Sequence, residues 1–554
     1  MMIRSRAALM YCARAAAICT VRVPVVATST NIGIRTKATA VGTANASTCS
    51  KLPPPDLSAR ADPAAAPAPK PFEAIPRVPT LPVLGAALEF ARLEPKNTGQ
   101  KFHEVVKKLS AKYGPIVRVR MPGEARDTVL ITDADMVAEV LRAEGPIPRR
   151  RHVPTWEYYR KQNGLPMGLV LDDGEDWKRL RSAVQTPIFP PKNAHNYCSA
   201  INPATAQAME VIKEGLRRAG PRTLAGEDLF AMEEITMRWS LEAVTTIILG
   251  QRLGALDAEP NPLALEMIRA NNTAVNTTGP VFIMPEFVWR NQLTPAAREH
   301  FEAIKTITDL ATRIMNTTLT ECAKDPAKLH GTFLGHVLQR DATITRDEML
   351  ATAVDLLFAG IDTTARSLLN IMNLLGRHPD MQAKLRDEIN AVVGTDPAVA
   401  VNATHLAQFK YLKNVIKEAM RLYMIVPVNA RILPRDAVVG GHLLPQGSEV
   451  LLGSQAIAHK AKYFADPLTF NPDRWESKDI HPFASLQFGF GPRMCVGRRI
   501  AEMEMSVFLA HLLRRFEIMP AHAPKEMLYN VLLSSAGPMP LKFRPLSAMM
   551  ASTL

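Results

Sequence analysis

The stretch FGFGPRMCVGRRIAE, residues 488–502, decides the fold of this chain. It places one cysteine, Cys495, among three glycines, Gly489, Gly491 and Gly497, and an apolar helical pattern begins directly afterwards. Glycines let the backbone fold closely around whatever the sulfur binds. A thiolate is favoured at a helix N-terminus, because free backbone N–H groups and the helix dipole point at it. We therefore expect Cys495 to bind a metal as a thiolate.

The other cysteines narrow the choice of metal. Cys198 and Cys322 are far from Cys495 in the sequence, no Cys-x-x-Cys occurs, and the remaining three cysteines lie within the first 50 residues. A single cysteine without a neighbouring His or Cys does not complete a tetrahedral zinc site. An axial thiolate ligand of haem iron, in contrast, needs only one cysteine. A buried, inert thiol is the alternative, since free cysteine is among the most buried residue types.

The N-terminal segment has the composition of a targeting sequence. The net charge is +13, and residues 1–55 contain seven Arg or Lys and no acidic residue. An Arg-, Ala- and Ser-rich leader without acids predicts a mitochondrial transit peptide over residues 1–50, with a disordered basic tail as the alternative. Residues 51–75 are rich in Pro and Ala and are predicted to be a linker, which leaves residues 76–554 as the folded domain. No nucleic-acid partner is expected, because so much of the basic charge lies in the leader.

The remaining chain is predicted to be mainly α-helical. Apolar residues recur at helical spacing through most of it, while IVRVRM (116–121) and TVLIT (128–132) predict a hairpin, and strands return near 430–453 and towards the C-terminus. Thr345 and Glu348 fit a capping box, and the helical pattern behind them continues for about 30 residues, or roughly 45 Å. We expect a large helical domain with one long central helix and a small β-rich region.

Five motifs, in order, resemble those of the cytochrome P-450 family. The haem-binding signature F-x-x-G-x-x-x-C-x-G is matched by Phe488, Gly491, Cys495 and Gly497. The other four are WKRLR with Trp177 and Arg181, AGIDTT at 359–364, EAMR with Glu418 and Arg421, and FNPDRW with Arg474. The resemblance extends over about residues 72–545. It implies the P-450 fold and haem b as cofactor, with Cys495 as the ligand of its iron.

The resemblance assigns oxygen chemistry to the AGIDTT motif. Asp362 and Thr363 match the acid and the alcohol that relay protons to bound oxygen, and Ala359 and Gly360 match positions beside the haem, where the glycine loosens the helix. Positioned proton transfer is typically worth ~10²–10⁴ in rate. The alternative is an ordinary helix bend, because threonine hydroxyls often bond back to the carbonyl four residues earlier. Retention of the pair favours a monooxygenase over a non-catalytic haem sensor or electron carrier.

Four further residues match positions that bind the haem propionates in the family. They are Trp177, Arg181, Arg493 and, less closely, Arg431. Arg and Trp N–H groups are suitable partners for buried carboxylates. The alternative is a set of scattered surface bases.

Three charged residues match a structural network on the thiolate side of the haem, namely Glu418, Arg421 and Arg474. All members of such a buried network must be present, because removing one strands a buried charge. Without Arg474, the first two would be a surface pair worth roughly 0.2–0.5 kcal/mol.

Two basic pairs resemble the ferredoxin-docking surface of the mitochondrial class of the family. They are Lys413 with Lys417, and Arg498 with Arg499 directly after the signature. Bases in the first turn of a helix oppose its dipole, which suggests an external reason for the second pair. Solvated helix faces are the alternative. Since no flavin or nicotinamide motif accompanies the haem domain, electrons are expected from NADPH through ferredoxin reductase and an acidic 2Fe–2S ferredoxin. A microsomal enzyme fed by a diflavin reductase would need an N-terminal membrane anchor.

The segment GPVFIMPEFVW, residues 279–289, matches a loop over the substrate entrance that touches the membrane in the family. No run of 18 apolar residues occurs, so we expect peripheral attachment on the matrix side of the inner mitochondrial membrane rather than a spanning helix. The pocket candidates Phe358, Ala359, Val426 and Val428 indicate an apolar substrate. The resemblance implies a sterol, steroid or secosteroid, with an ecdysteroid precursor or a xenobiotic as alternatives.

Overall fold

The structure is a computed structural model that describes residues 68–95, 99–188, 191–325, 331–340, 344–524 and 526–546. The predicted transit peptide and most of the predicted linker lie outside the described residues. The last part of the linker is, however, folded. Residues Phe72–Ala74 form a 3₁₀ turn, the Arg118 guanidinium lies 5.1 Å from the Phe72 ring centroid, and Ile75 is buried. The amino-acid composition did not predict that this segment packs on the domain, because only two apolar residues, Phe72 and Ile75, anchor it within a Pro- and Ala-rich stretch.

Helices dominate the described part of the chain, as predicted. They are α1 Ala87–Leu93, α2 Phe102–Tyr113, α3 Ala134–Ala143, α4 Pro154–Gln162, α5 Gly168–Leu171, α6 Gly174–Ile188, α7 Pro191–Ala219, α8 Pro221–Leu224, α9 Met232–Leu249, α10 Pro262–Phe282, α11 Glu286–Arg290, α12 Pro295–Lys324, α13 Phe333–Arg340, α14 Arg346–Arg377, α15 Pro379–Val393, α16 Ala403–Gln408, α17 Tyr411–Leu422, α18 Ser454–Ala458 and α19 Arg498–Leu513. No helix among these is long and apolar enough to cross a membrane.

The strands are short and belong to small sheets. They are β1 Ile116–Val119, β2 Thr128–Ile131, β3 Asn429–Ile432, β4 Ala437–Val439, β5 His442–Leu444, β6 Glu449–Leu452, β7 Phe516–Met519, β8 Met527–Tyr529, β9 Leu533–Ser535 and β10 Lys542–Pro545. The largest sheet has the order β1-β2-β6-β3. The predicted hairpin is confirmed: β1 and β2 are antiparallel, with Ile116 opposite Ile131. Strand β6 then pairs parallel with β2 and antiparallel with β3.

Helix α14 is the predicted long central helix. It has 32 residues, and the capping box is present, with Glu348 N bonded to Thr345 Oγ1 and Thr345 N bonded to the Glu348 carboxylate. At ~1.5 Å per residue this length corresponds to about 48 Å. Its N-terminal half packs into one buried apolar cluster around Leu357 and Ile361, and its C-terminal half packs into a second around Leu368 and Leu375. The helix therefore joins the two largest parts of the core.

The segment 279–289 is mostly helical, which corrects the prediction of a loop. Helix α10 continues through Phe282 and α11 begins at Glu286. Trp289 turns inward against Phe301, whereas Phe287 is 64% exposed and Ile283 is 49% exposed. Proline at position 280 does not end the helix, because its neighbours in α10 pack against α12 and hold the turn in place.

Candidate functional site

The signature loop around Cys495 is held by backbone hydrogen bonds. Cys495 N donates to Phe488 O at 2.8 Å, and Met494 N donates to Gly491 O at 3.0 Å. Gly489 and Gly491 both have φ of +73°, a left-handed conformation that glycine adopts without strain. A Cβ on Gly491 would also lie 2.4 Å from the Glu144 carboxylate. The loop then enters α19, whose N-cap is Gly497.

The Cys495 side chain is exposed although its surroundings are largely buried. Burial raises the pKa of the thiol, against the N–H of Gly497 and the charge of Arg181, which lower it. Ala359 is likewise exposed in the middle of the otherwise buried helix α14. Val496 and Ile500, which flank the thiol, pack against the same apolar cluster as α14. We infer that Cys495 and Ala359 face one enclosed space between α14 and the signature loop.

A cluster of guanidinium groups lies beside this loop. Its members are Arg150, Arg181, Arg431 and Arg493. The pKa of Arg493 is lowered to about 9, chiefly by burial and in smaller part by the neighbouring guanidinium groups of the cluster, while Asp173 opposes the shift. Burial also lowers the pKa of Arg150 and Arg181, and Arg431 lowers that of Arg150 further. Trp177 lies under Arg493, with the guanidinium 3.8 Å from the ring centroid. Among the described residues, Arg493 Nη1 is buried without a hydrogen-bond partner.

The protein carboxylates in the cluster do not balance its charge. Glu144 pairs with Arg431 at 2.5 Å, and Asp173 pairs with Arg493. Four guanidinium groups against two carboxylates leave an excess of positive charge, and buried unbalanced charge is costly. The two propionates of haem supply the missing negative charge and acceptors for Arg493, so the residues present fit that cofactor.

The loop and the cluster are physically connected. Arg181 Nη2 donates to Met494 O at 2.7 Å, next to Cys495, and Arg493 Nε donates to Pro148 O at 2.8 Å. Among the residues that the structure describes, no group of three or more His, Cys, Asp or Glu side chains is placed to hold a metal ion. Haem iron needs no such group, because it takes only an axial ligand from the protein.

Asp362 is buried in a polar pocket on α14. Its carboxylate accepts from Asn271 of α10 and pairs with Arg366 one turn further along, with Nε 3.1 Å from Oδ1. Arg366 also donates to Asn272 at 3.0 Å. Burial raises the pKa of Asp362, although the Arg366 charge and both hydrogen bonds lower it. These contacts link the acid to α10.

Thr363 has the geometry of an ordinary helical threonine. Its hydroxyl donates to Ala359 O at 2.7 Å. Helix α14 continues through Gly360 without a break, which corrects the expectation that this glycine loosens it. The glycine instead permits close packing, because a Cβ there would lie 2.7 Å from Val244 of α9. Ser240 of α9 donates to Gly360 O at 3.1 Å.

Thr364, the next residue on α14, contacts a buried glutamate, Glu504 of α19, which no sequence motif indicated. Its hydroxyl donates to Glu504 Oε2 of α19 at 3.2 Å, and Glu504 Oε1 has no partner within the described part of the chain. Burial raises the pKa of Glu504 to about 8. The sequence does not distinguish it from Glu502, which lies two positions earlier in the same helix; only the contact with α14 does.

The structure brings Glu418, Arg421 and Arg474 together. Arg421 makes two bonds to the Glu418 carboxylate, at 2.9 and 2.8 Å, and Arg474 Nε donates to it at 2.9 Å. Trp475 Nε1 donates to the same carboxylate at 3.0 Å. Glu418 and Arg421 are completely buried. The remaining Arg421 N–H groups bond to backbone carbonyls of Ala458 and Pro467, so the network is closed within the protein.

The four basic residues lie near the signature loop. Lys413 and Lys417 are exposed on α17, and Gln487, just before the loop, donates to Lys417 O at 3.2 Å. Arg498 is half-exposed, pairs with Glu502 at 3.0 Å and lies over the Phe488 ring. Arg499 is exposed. The ion pair of Arg498 within its own helix offsets the unfavourable placement of that base in the first turn.

These observations define a class of protein: a mainly helical fold in which a cysteine thiol and a cluster of buried guanidinium groups suit haem with its propionates. The family model for cytochrome P450 matches residues 76–543. The chain belongs to the cytochrome P450 family, and it is a haem b monooxygenase.

Curated relatives match most of the chain and carry mitochondrial names. It is 32% identical to rat "25-hydroxyvitamin D-1 alpha hydroxylase, mitochondrial" over 76% of this chain and 84% of the rat protein. It is 30% identical to rat "1,25-dihydroxyvitamin D(3) 24-hydroxylase, mitochondrial" over 84% and 87%. It is 29% identical to pig "Cholesterol side-chain cleavage enzyme, mitochondrial" over 86% and 90%. The resemblance to the mitochondrial class is thereby confirmed.

Replacement of Glu418 by Gln tests the buried network. The variant leaves Arg421 as a buried charge without a counter-ion, which typically costs about 3–5 kcal/mol. We expect a large loss of folded, haem-loaded protein, measured as the haem-to-polypeptide ratio and the apparent melting temperature. Glu214→Gln is the matched control, because Glu214 makes a similar i,i+3 pair with Arg217 at the surface, where solvent screens the attraction and its loss costs little stability. Equal losses in both variants would contradict the network.

Replacement of Glu504 by Gln tests the raised pKa of that carboxyl group. Between the ordinary glutamate pKa of 4.5 and about 8, the folded protein keeps a proton that the unfolded chain releases, so the contribution of this group to stability falls as pH rises. Gln lacks this proton. We expect the variant to raise the melting temperature more at about pH 8 than at about pH 5. Glu502→Gln on the same helix is the control. An equal change at both pH values would show that Glu504 is charged in the folded protein.

Proposed function

We propose that this protein is a mitochondrial monooxygenase in which Cys495 is the thiolate ligand of haem iron and an apolar, sterol-like molecule is the substrate. The observation that carries the proposal is the exposed thiol just before α19, beside a cluster of guanidinium groups in which Arg493 Nη1 is buried without an acceptor among the described residues. When bound, haem supplies the binding of O₂ and its reductive activation. The Cys495 thiolate donates electron density to the iron.

In this proposal the arginine cluster positions the cofactor, and Asp362 takes part in proton transfer to bound oxygen. Arg181, Arg431, Arg493 and Trp177 bind the propionates, together with Arg150, which the sequence analysis did not include. Asp362, whose pKa is raised by burial, holds a proton between the enclosed space and α10 and passes it towards Thr363. Arg366 orients the carboxyl group through the bond at 3.1 Å.

The substrate class follows from the walls of the space and from the relatives. Phe358, Val426 and Val428 are only partly buried within the fold, and Trp156 lies 4.4 Å from Phe358 between ring centroids. An apolar lining selects a ligand by the area it removes from water, not by charge. The names of the relatives include vitamin D and cholesterol, which favours a sterol or secosteroid.

Electrons enter on the thiolate side in this proposal. Lys413, Lys417, Arg498 and Arg499 surround the signature loop and form a basic surface that suits an acidic 2Fe–2S ferredoxin, reduced by NADPH through ferredoxin reductase. Charge complementarity would steer association and make it sensitive to salt.

Location at the matrix side of the inner membrane is part of the proposal. The basic leader supports import, and exposed apolar side chains support peripheral contact. Ile283 lies against the Gly99 segment, since a Cβ on Gly99 would be 2.5 Å from it, and Phe287 is 64% exposed. Val83, 83% exposed, adds an apolar side chain in the preceding N-terminal segment.

Cys495→Ser tests the iron ligand. We expect the reduced protein with carbon monoxide to lose the long-wavelength Soret band that thiolate ligation produces, because a serine oxygen is a harder and weaker donor to this iron. The band is read on haem-loaded protein after reduction with dithionite. Cys198→Ala is the control, since Cys198 is buried and donates to Val401 O far from the loop. An unchanged spectrum in Cys495→Ser would refute the proposal.

Lys417→Glu tests the docking surface. We expect reduced ferredoxin to form the ferrous carbon monoxide complex about tenfold more slowly at low salt, with a smaller difference at high salt. The Lys305→Glu control makes the same charge change on α12, where Lys305 is exposed and pairs with Asp309. Direct reduction by dithionite should be unaffected in both. Equal slowing by the control would contradict a localised docking surface.

A further inference from the structure

A buried ion pair outside the groups discussed so far joins α4 to α14. Arg160 Nη2 lies 2.5 Å from Asp355 Oδ1, and both side chains are about 95% buried, with exposures of 6% and 5%. Asp355 Oδ2 accepts from Val170 N at 2.8 Å. Arg160 Nη1 donates to the carbonyls of Pro166 and Met167. The pair therefore binds the backbone of the segment between α4 and α6 as well as joining two helices.

Gly168 shows how closely this segment packs on the pair. It has φ of +69°, and a Cβ there would lie 2.5 Å from Arg160 Nη1 and 2.6 Å from Asp355 Oδ2. Any other residue would push the segment away from both charges. A displacement of this segment would also remove the acceptors and the donor that satisfy the pair, which leaves buried charges with fewer partners.

The pair is linked to the arginine cluster on one side and to the aromatic contact between Trp156 and Phe358 on the other. Towards the arginine cluster, Val170 N donates to Asp355 while Val170 O accepts from Arg150 Nη2 at 2.6 Å. Towards the substrate, Trp156 of α4 contacts Phe358, which lies three residues after Asp355 on α14. Residues three and four apart share a helix face, so Asp355, Phe358 and the exposed Ala359 are neighbours on α14.

Stability alone does not explain a buried ion pair. The desolvation of two charges offsets their attraction, and apolar residues of similar volume often replace such pairs without loss of stability. What the ion pair adds is a fixed distance and orientation, through its hydrogen bonds to named backbone groups.

We propose that Arg160 and Asp355 are positioning residues that hold residues 154–171 against α14, and thereby fix the wall of the substrate space at Trp156 and the orientation of Arg150. The segment is then a rigid wall rather than a moving lid. Selectivity for large ligands depends on the pair, whereas access of small ligands to the iron does not. The inference concerns neither the sterol nor the ferredoxin of the proposed function.

The test compares two azoles of different size on haem-loaded Asp355→Asn. Imidazole and clotrimazole both bind haem iron through a nitrogen, but only clotrimazole is large enough to contact the wall. We expect the Kd of clotrimazole to rise about tenfold or more and that of imidazole to change less than about twofold, measured by Soret titration. The carbon monoxide spectrum should be unchanged. Equal changes for both azoles, or none for either, would overturn the proposal.

A second variant protects the test against misfolding. In Arg160→Met with Asp355→Leu, both charges are removed together, so no unpaired buried charge remains and folding is retained. The same loss of clotrimazole binding is expected, with faster hydrogen exchange at residues 154–171. Glu157→Gln with Lys161→Gln is the matched control, because that pair lies on the exposed face of the same helix. Unchanged exchange in the Met/Leu variant would contradict a positioning role.

Discussion

Electrostatic repulsion among four guanidinium groups is the constraint on which the site depends. Arg150, Arg181, Arg431 and Arg493 come from four different parts of the chain and meet beside the signature loop. Each is held by packing and by backbone carbonyls, so the cluster persists although its members raise one another's energy. An anion that binds within the cluster therefore gains more electrostatic binding free energy than it would beside a single isolated arginine. The cluster is therefore a preorganised positive site that would favour the two carboxylates of haem.

Helix α14 relates this positive site to the rest of the molecule. Its apolar residues join the two main clusters of the core, while three of its polar residues contact three other parts of the chain. Asp355 meets the segment after α4, Asp362 meets α10, and Thr364 meets α19. A displacement of any of these neighbours therefore acts on the same helix, at positions within two turns of Ala359. This explains why so many buried polar groups occur on one element despite their desolvation penalty.

Local pattern predicted much of this structure. The β1–β2 hairpin, the capping box at Thr345 and the long helix all depend on residues near one another in sequence, and all were confirmed. The partners of buried charges could not be predicted from local pattern, because Glu144 and Arg431 are 287 residues apart in the sequence and Arg160 and Asp355 are 195 apart. Spacing carries no information about such pairs. The docking of Phe72 and the buried state of Glu504 were missed for the same reason, since both depend on distant elements.

The arginines of this protein show how a structural charge differs from one that serves a ligand. Arg421 is completely buried, yet its N–H groups are used by Glu418 and by backbone carbonyls, so nothing more is needed from outside. Arg493 is nearly as buried, but one terminal nitrogen has no acceptor in the described structure. Both residues are buried and charged, but Arg493 differs from Arg421 in having a terminal N–H donor, on Nη1, without an acceptor in the described structure. Because an unsatisfied buried donor costs about 1–3 kcal/mol, an anionic acceptor at Arg493, as the proposed function requires, would remove that cost.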